Sequence, residues 1–207
     1  MIGYCLLVLF SIMIHEAGHL IISLLFNVKV YAYSIGFGKV LFHKTFKGID
    51  YRISLIPLGG YCKIEEAIEK PNSIINLPYY KQFIILVSGV AVNFLCACIC
   101  YLIQFHSIKI GIMVDLIVLK ACIFQQIPTV VPLLLKLNVN IWLLQLSMLN
   151  LALAITNLCP IAPLDGGLLF LFPLKKRIPK KWYNLIYATG FVLVIWIQIL
   201  FVMYCWK

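Results

Sequence analysis

Acidic side chains are scarce in this chain: seven among 207 residues, with no glutamate after Glu69. Charged residues of both signs make up only 12% of it, against roughly a quarter in an ordinary soluble domain. A composition that is 63% hydrophobic instead indicates a chain that crosses the membrane several times. Histidine is rarer still, at four residues, too few for the histidine-box oxygenases of membranes. The eight cysteines include no CxxC pair, and most lie in apolar stretches where the thiol behaves as a small hydrophobe. Neither a disulfide framework nor a cysteine zinc site is expected. The opening segment lacks a basic n-region and is not expected to be a cleaved signal peptide. No separate soluble domain is expected at either end.

The net charge of +10 is concentrated rather than spread: eight lysines and arginines fall between Asn27 and Lys81, and five between Lys175 and Lys181. Both stretches flank apolar spans, the positive-inside pattern, so their partner is the anionic lipid surface and not nucleic acid. That bias predicts cytosolic basic loops and an outside amino terminus.

Apolar runs divide the chain into a single domain with an opening helix at 1–26, a polar stretch at 27–81, a span at 82–105, an interrupted apolar region at 106–139, a span at 140–174 and a final span at 182–206. The fold class expected is an all-α polytopic membrane protein, a bundle of about four to six transmembrane helices with a small β-hairpin on the cytosolic side. The hairpin is predicted from Lys39–Lys44 through a turn near Lys47–Asp50 into Tyr51–Leu55. Pro57-Leu58-Gly59-Gly60-Tyr61 is expected to break it, and Glu65 to Pro71 to form a surface linker. The 106–139 region is compatible with two short crossings, a re-entrant element or an interfacial pair of helices.

What charge does stand at membrane depth gathers in one place. His15-Glu16-Ala17-Gly18-His19 lies inside the opening apolar segment, where each ionisable group costs on the order of 2.5–3.5 kcal/mol. On a helix, His15 and His19 stand one turn apart on one face. Two imidazoles so spaced hold one Zn2+ ion, with Glu16 beside it as general base.

A catalytic zinc takes a third protein ligand. His43 and His106 fall at membrane boundaries, and Asp115 is expected to be either neutralised by nearby Lys120 or interfacial. Asp165 remains, in an apolar span among Pro160, Pro163, Gly166 and Gly167. The prolines loosen the helix and the glycines let another helix or a metal come close. The alternative, that Asp165 only caps a broken helix, stays open.

These residues resemble the site-2 protease family of intramembrane zinc metalloproteases. The resemblance rests on His15–His19, on Ile56–Tyr61, on Ser88-Gly89-Val90-Ala91-Val92-Asn93, and on the NxxPxxPxxDGG-like run Asn157–Gly167. It covers roughly 1–105 and 140–174. It implies His15, His19 and Asp165 as zinc ligands and Glu16 as the base. Asn157, Gly59, Gly60 and Asn93 become candidate substrate-binding residues, and the polar stretch becomes a membrane-associated β-loop that adds substrate as an extended strand. The layout, with no recognisable PDZ segment or CBS-type tail, is most similar to small bacterial members such as the stage IV sporulation protein FB group. The expected function is zinc-dependent cleavage of membrane-anchored proteins within a bacterial cell membrane, with any regulatory partner unspecified. The alternative is a non-catalytic membrane protein that binds or transports metal.

Overall fold

The computed structural model describes residues 2–124, 130, 132, 134 and 138–205. Helix α1 spans Ile2–Leu25 and ends as Asn27 takes a positive φ of 56°. The chain then enters a hairpin, β1 at Val30–Phe46 and β2 at Ile49–Ile64. A short 3-10 turn at Ile74–Asn76 leads to α2, Tyr79–Phe105, which His106 closes in the left-handed conformation. Helices α3 (Ile108–Ile123), α4 (Ile141–Asn157), α5 (Asp165–Leu174) and α6 (Lys180–Cys205) follow. The protein is thus mostly helical with one small antiparallel sheet. Two of its described helices, Gly3–Leu25 and Tyr79–Phe105, are long and apolar enough to cross a bilayer. At 27 residues, α2 reaches about 40 Å.

The hairpin turns where expected, through Lys47 (φ 49°) and Gly48 (φ 77°). Two positive-φ residues between antiparallel strands form the tight turn whose twist matches the strands. Pro57–Tyr61, however, does not end the sheet: β2 runs through it to Ile64. The ribbon doubles back instead. Ala32, Tyr33, Ser34 and Ile35 each have two partners, Lys63, Cys62, Tyr61 and Gly60 on one side and Asp50, Tyr51, Arg52 and Ile53 on the other. The bend falls at Gly36, whose φ of +87° and 2.8 Å clearance to the Ser54 carbonyl exclude any other residue. Irregular spacing across Phe37–Val40 absorbs the extra residues as bulges.

The expected surface linker is only partly one. Glu69, Lys70 and Pro71 are exposed, but Glu65 is buried, and Ile74 and Ile75 join Val28, Ile85, Leu86 and Phe172 in a core beneath α2 and α5. Lys175 of the α5–α6 connection pairs with Glu66 at 2.6 Å and ties the same stretch down from the other side.

Two further expectations change. The stretch 140–174 is two helices, not one continuous span: α4 stops at Asn157 and α5 starts at Asp165, with Pro160 and Pro163 in the connection. Asp115 is not neutralised by Lys120, which is exposed. It is buried between α2, α3 and α4, accepting from Tyr101 Oη at 2.6 Å and facing Ser147 Oγ at 3.4 Å. Five residues along a helix is a rotation of about 140°, so Asp115 and Lys120 point apart. For the 106–139 region, α3 accounts for the first half, while residues 125–129, 131, 133 and 135–137 lie outside the described residues, as do Trp206 and Lys207.

Candidate metal centre

Helix α1 presents His15 and His19 on one face, both buried, with their rings edge to face at 4.9 Å. Facing them on α2 is a stripe four residues apart in spacing, Ile85, Gly89 and Asn93. Gly89 is what lets the rings sit there. A Cβ at that position would lie 2.5 Å from His19 Nε2 and 2.8 Å from His15 Nε2. Below and above this gap the helix supplies polar partners. His19 Nδ1 lies 2.8 Å from the Ile85 carbonyl, and His15 Nδ1 lies 3.3 Å from the Asn93 carboxamide. Ser88 Oγ, which donates to the Ile85 carbonyl at 2.6 Å, is also 3.4 Å from His19 Nδ1.

Asp165 arrives from the far end of the sequence as the first residue of α5. The preceding connection folds back over the helix start so closely that a Cβ on Gly166 would lie 2.2 Å from the Leu158 carbonyl. Small residues there are a condition of bringing the carboxylate inward.

The result is a three-point convergence. His15 Nε2 is 3.1 Å and His19 Nε2 3.3 Å from Asp165 Oδ2, and the two Nε2 atoms are 3.2 Å apart. Donors about 2.0–2.1 Å from a tetrahedral zinc stand about 3.3 Å from one another, so the spacing fits that ion. Asp165 Oδ2 is buried, and despite its short distances no aligned hydrogen bond reaches it. An orphaned buried carboxylate oxygen beside two imidazole nitrogens is costly unless a cation completes it. This is the one group of three such donors among the described residues.

Glu16 is half-buried next to this cluster, against the hairpin. The Cys62 backbone of β2 lies beside its carboxylate. A Cβ on Gly60 would come within 3.2 Å of its Cγ, so β2 passes directly over it. Gly59 lies under the Phe37 ring, which stacks on Tyr61 at 6.3 Å. Asn157 is turned to its own helix, donating to the Leu153 carbonyl at 3.0 Å. His43 and His106 are exposed, His43 beside Asp50 at 3.4 Å. Sequence reasoning missed the roles of Ile85, Ser88, Gly89 and Cys62. The first three share the helical period of Asn93 and were legible as one stripe; the contribution of Cys62 depends on a strand register that has no local signal.

A family model described as peptidase family M50 matches residues 3–197. The chain is also similar to curated proteins provisionally named as zinc metalloproteases. One from Campylobacter jejuni is 38% identical over 107 residues, one from Rickettsia conorii 37% over 111, and one from Helicobacter pylori strain J99 40% over 106. These matches cover 47%, 48% and 46% of this chain, but only 29%, 31% and 30% of the relatives. The chain therefore spans less than a third of the length of these relatives.

Proposed function

The chain belongs to peptidase family M50, and on that footing we propose that it is a zinc-dependent intramembrane endopeptidase of the site-2 protease type. It hydrolyses peptide bonds in or near the transmembrane segments of membrane-anchored proteins. The observation that carries the reading is the meeting of His15, His19 and Asp165 at mutual distances of 3.1–3.3 Å.

Those three residues would hold the zinc. When bound, the ion supplies a water of lowered pKa and a polarised substrate carbonyl. Glu16 takes the proton of the attacking water on its carboxylate and passes it to the nitrogen of the leaving amine. β2 passes over that carboxylate at Gly60, whose added Cβ would lie 3.2 Å from the Glu16 Cγ. An extended substrate segment laid beside Gly59, Gly60 and the strand that follows would pair with backbone as an added strand. That suits the chemistry, because a helix hides the peptide bond that must be attacked.

The bundle lies in a bacterial cell membrane as a multi-pass protein, its basic loops on the cytosolic side. The far half of the hairpin supports that placement, since Leu41, Phe42 and Phe46 are exposed apolar side chains flanked by lysines, suited to a lipid surface. The partners are membrane-anchored protein substrates and the bilayer, with no nucleic acid.

The test is Glu16→Gln in the purified full chain with a membrane-anchored substrate. Loss of a general base costs about 10²–10⁴-fold in rate, and bound zinc should persist. Undiminished cleavage would refute the assignment of the base. A chain that exchanges zinc freely and cleaves nothing would be a metal carrier instead.

A further inference from the structure

One buried atom beside the metal centre has no work to do. Asn93 is fully buried on α2, and its Oδ1 has no hydrogen-bond partner, while its Nδ2 faces His15 Nδ1 at 3.3 Å. A histidine that offers Nε2 to a cation carries its proton on Nδ1, and that N–H needs an acceptor. An NH2 group cannot accept. A carboxamide exchanges its two ends by a half-turn in the same volume. Turned so, Asn93 gives the N–H its acceptor and relieves the isolation of Oδ1 at once. The opposite tautomer would put the proton on Nε2, the nitrogen that stands 3.1 Å from Asp165 Oδ2, and close the site to a metal.

We propose that Asn93 is a positioning residue: its Oδ1 accepts from His15 Nδ1–H and fixes the tautomer that leaves Nε2 free for the cation. His19 is already held this way, with the Ile85 carbonyl 2.8 Å from its Nδ1. Helix α2 therefore supplies both acceptors, two turns apart, with Gly89 between them giving the rings room. Asn93 thus acts through His15, not on the substrate, which replaces the substrate-binding role that the sequence suggested for it. The inference rests on the metal-centre reading above.

The experiment uses the full chain in detergent micelles. It measures zinc affinity by competition with a chelator and the His15 tautomer by ring-nitrogen shifts of ¹⁵N-histidine-labelled protein. Asn93→Leu should weaken zinc binding about 10–100-fold, as loss of such an outer partner does, and His15 should become a mixture of tautomers. Asn93→Asp, an acceptor on both oxygens, should keep the affinity close to the original or above it and preserve the single tautomer. Asn93→Ala serves where Leu prevents folding. Original affinity and a single tautomer in the apolar variant would overturn the proposal. So would an Asp variant as impaired as Leu, because that is the result expected if the amide donates to His15. Should the unaltered chain bind no zinc, the metal reading fails, yet the His15 tautomer in the three variants still decides what Asn93 does.

Discussion

Adding one methyl group at Gly89 should disable the centre. The new Cβ would stand 2.5 Å from His19 Nε2 and 2.8 Å from His15 Nε2, where ordinary contact begins at 3.4 Å. His19 would have to retreat by about 0.9 Å, several times the ~0.2 Å tolerance of a metal–ligand bond. Its ring cannot swing aside cheaply, because Nδ1 is held 2.8 Å from the Ile85 carbonyl on the same helix. A misplacement near 1 Å costs about 10²-fold in rate, and zinc affinity should fall by at least the 10–100-fold expected for disturbing an outer partner. Helix stability pulls the other way: alanine in a helix interior is favoured over glycine by about 1 kcal/mol. Circular dichroism should therefore show an intact, even stabilised, helix while bound zinc and peptide cleavage both collapse. Gly89→Ala protein that retains zinc and cleaves at the original rate would refute the packing described for α1 against α2.

Other outcomes follow from the parts that support the centre. The Lys70 ammonium, Tyr31 hydroxyl and Ala67 amide pull the Glu65 carboxyl down to about 2 from an ordinary 4.5. Its folded-state value is depressed, so its contribution is present above pH ~4.5 and lost as pH falls toward 2; a thermal-melt series should lose stability in that window, and Glu65→Gln should flatten the slope. Ile74, fully buried under α2, should cost about 2–5 kcal/mol on truncation to Ala; a denaturant midpoint unmoved by Ile74→Ala would mean that the segment before α2 is not docked.

The residues of the centre are legible in sequence where leaving them unexplained carries a physical cost. His15, Glu16 and His19 stand out because charge inside a long apolar segment demands a partner, and Asp165 because it is an acid among helix-loosening prolines and glycines in another apolar stretch. Asn93 illustrates the limit. Its place in a spaced glycine-to-asparagine run was readable, but whether it met substrate or a ligand depended on which face of α2 turns toward α1. The hairpin shows the same limit in strand form: Pro57, Gly59 and Gly60 carry every local sign of a break, yet the ladder continues because the doubled ribbon tolerates bulges. Asp115 went astray for a third reason. Proximity in sequence to Lys120 suggested a pair, whereas the helical rotation sends one inward to Tyr101 and the other to the exterior.

The late position of Asp165 has a consequence for biosynthesis. Two of the donors are made with α1, but the carboxylate that completes the trio follows only after the hairpin, α2, α3 and α4 have been made and α5 begun. A nascent chain halted anywhere between α1 and α5 holds two of the three donors and cannot form the trio, so on the proposed reading any cutting would have to wait until α5 has been made.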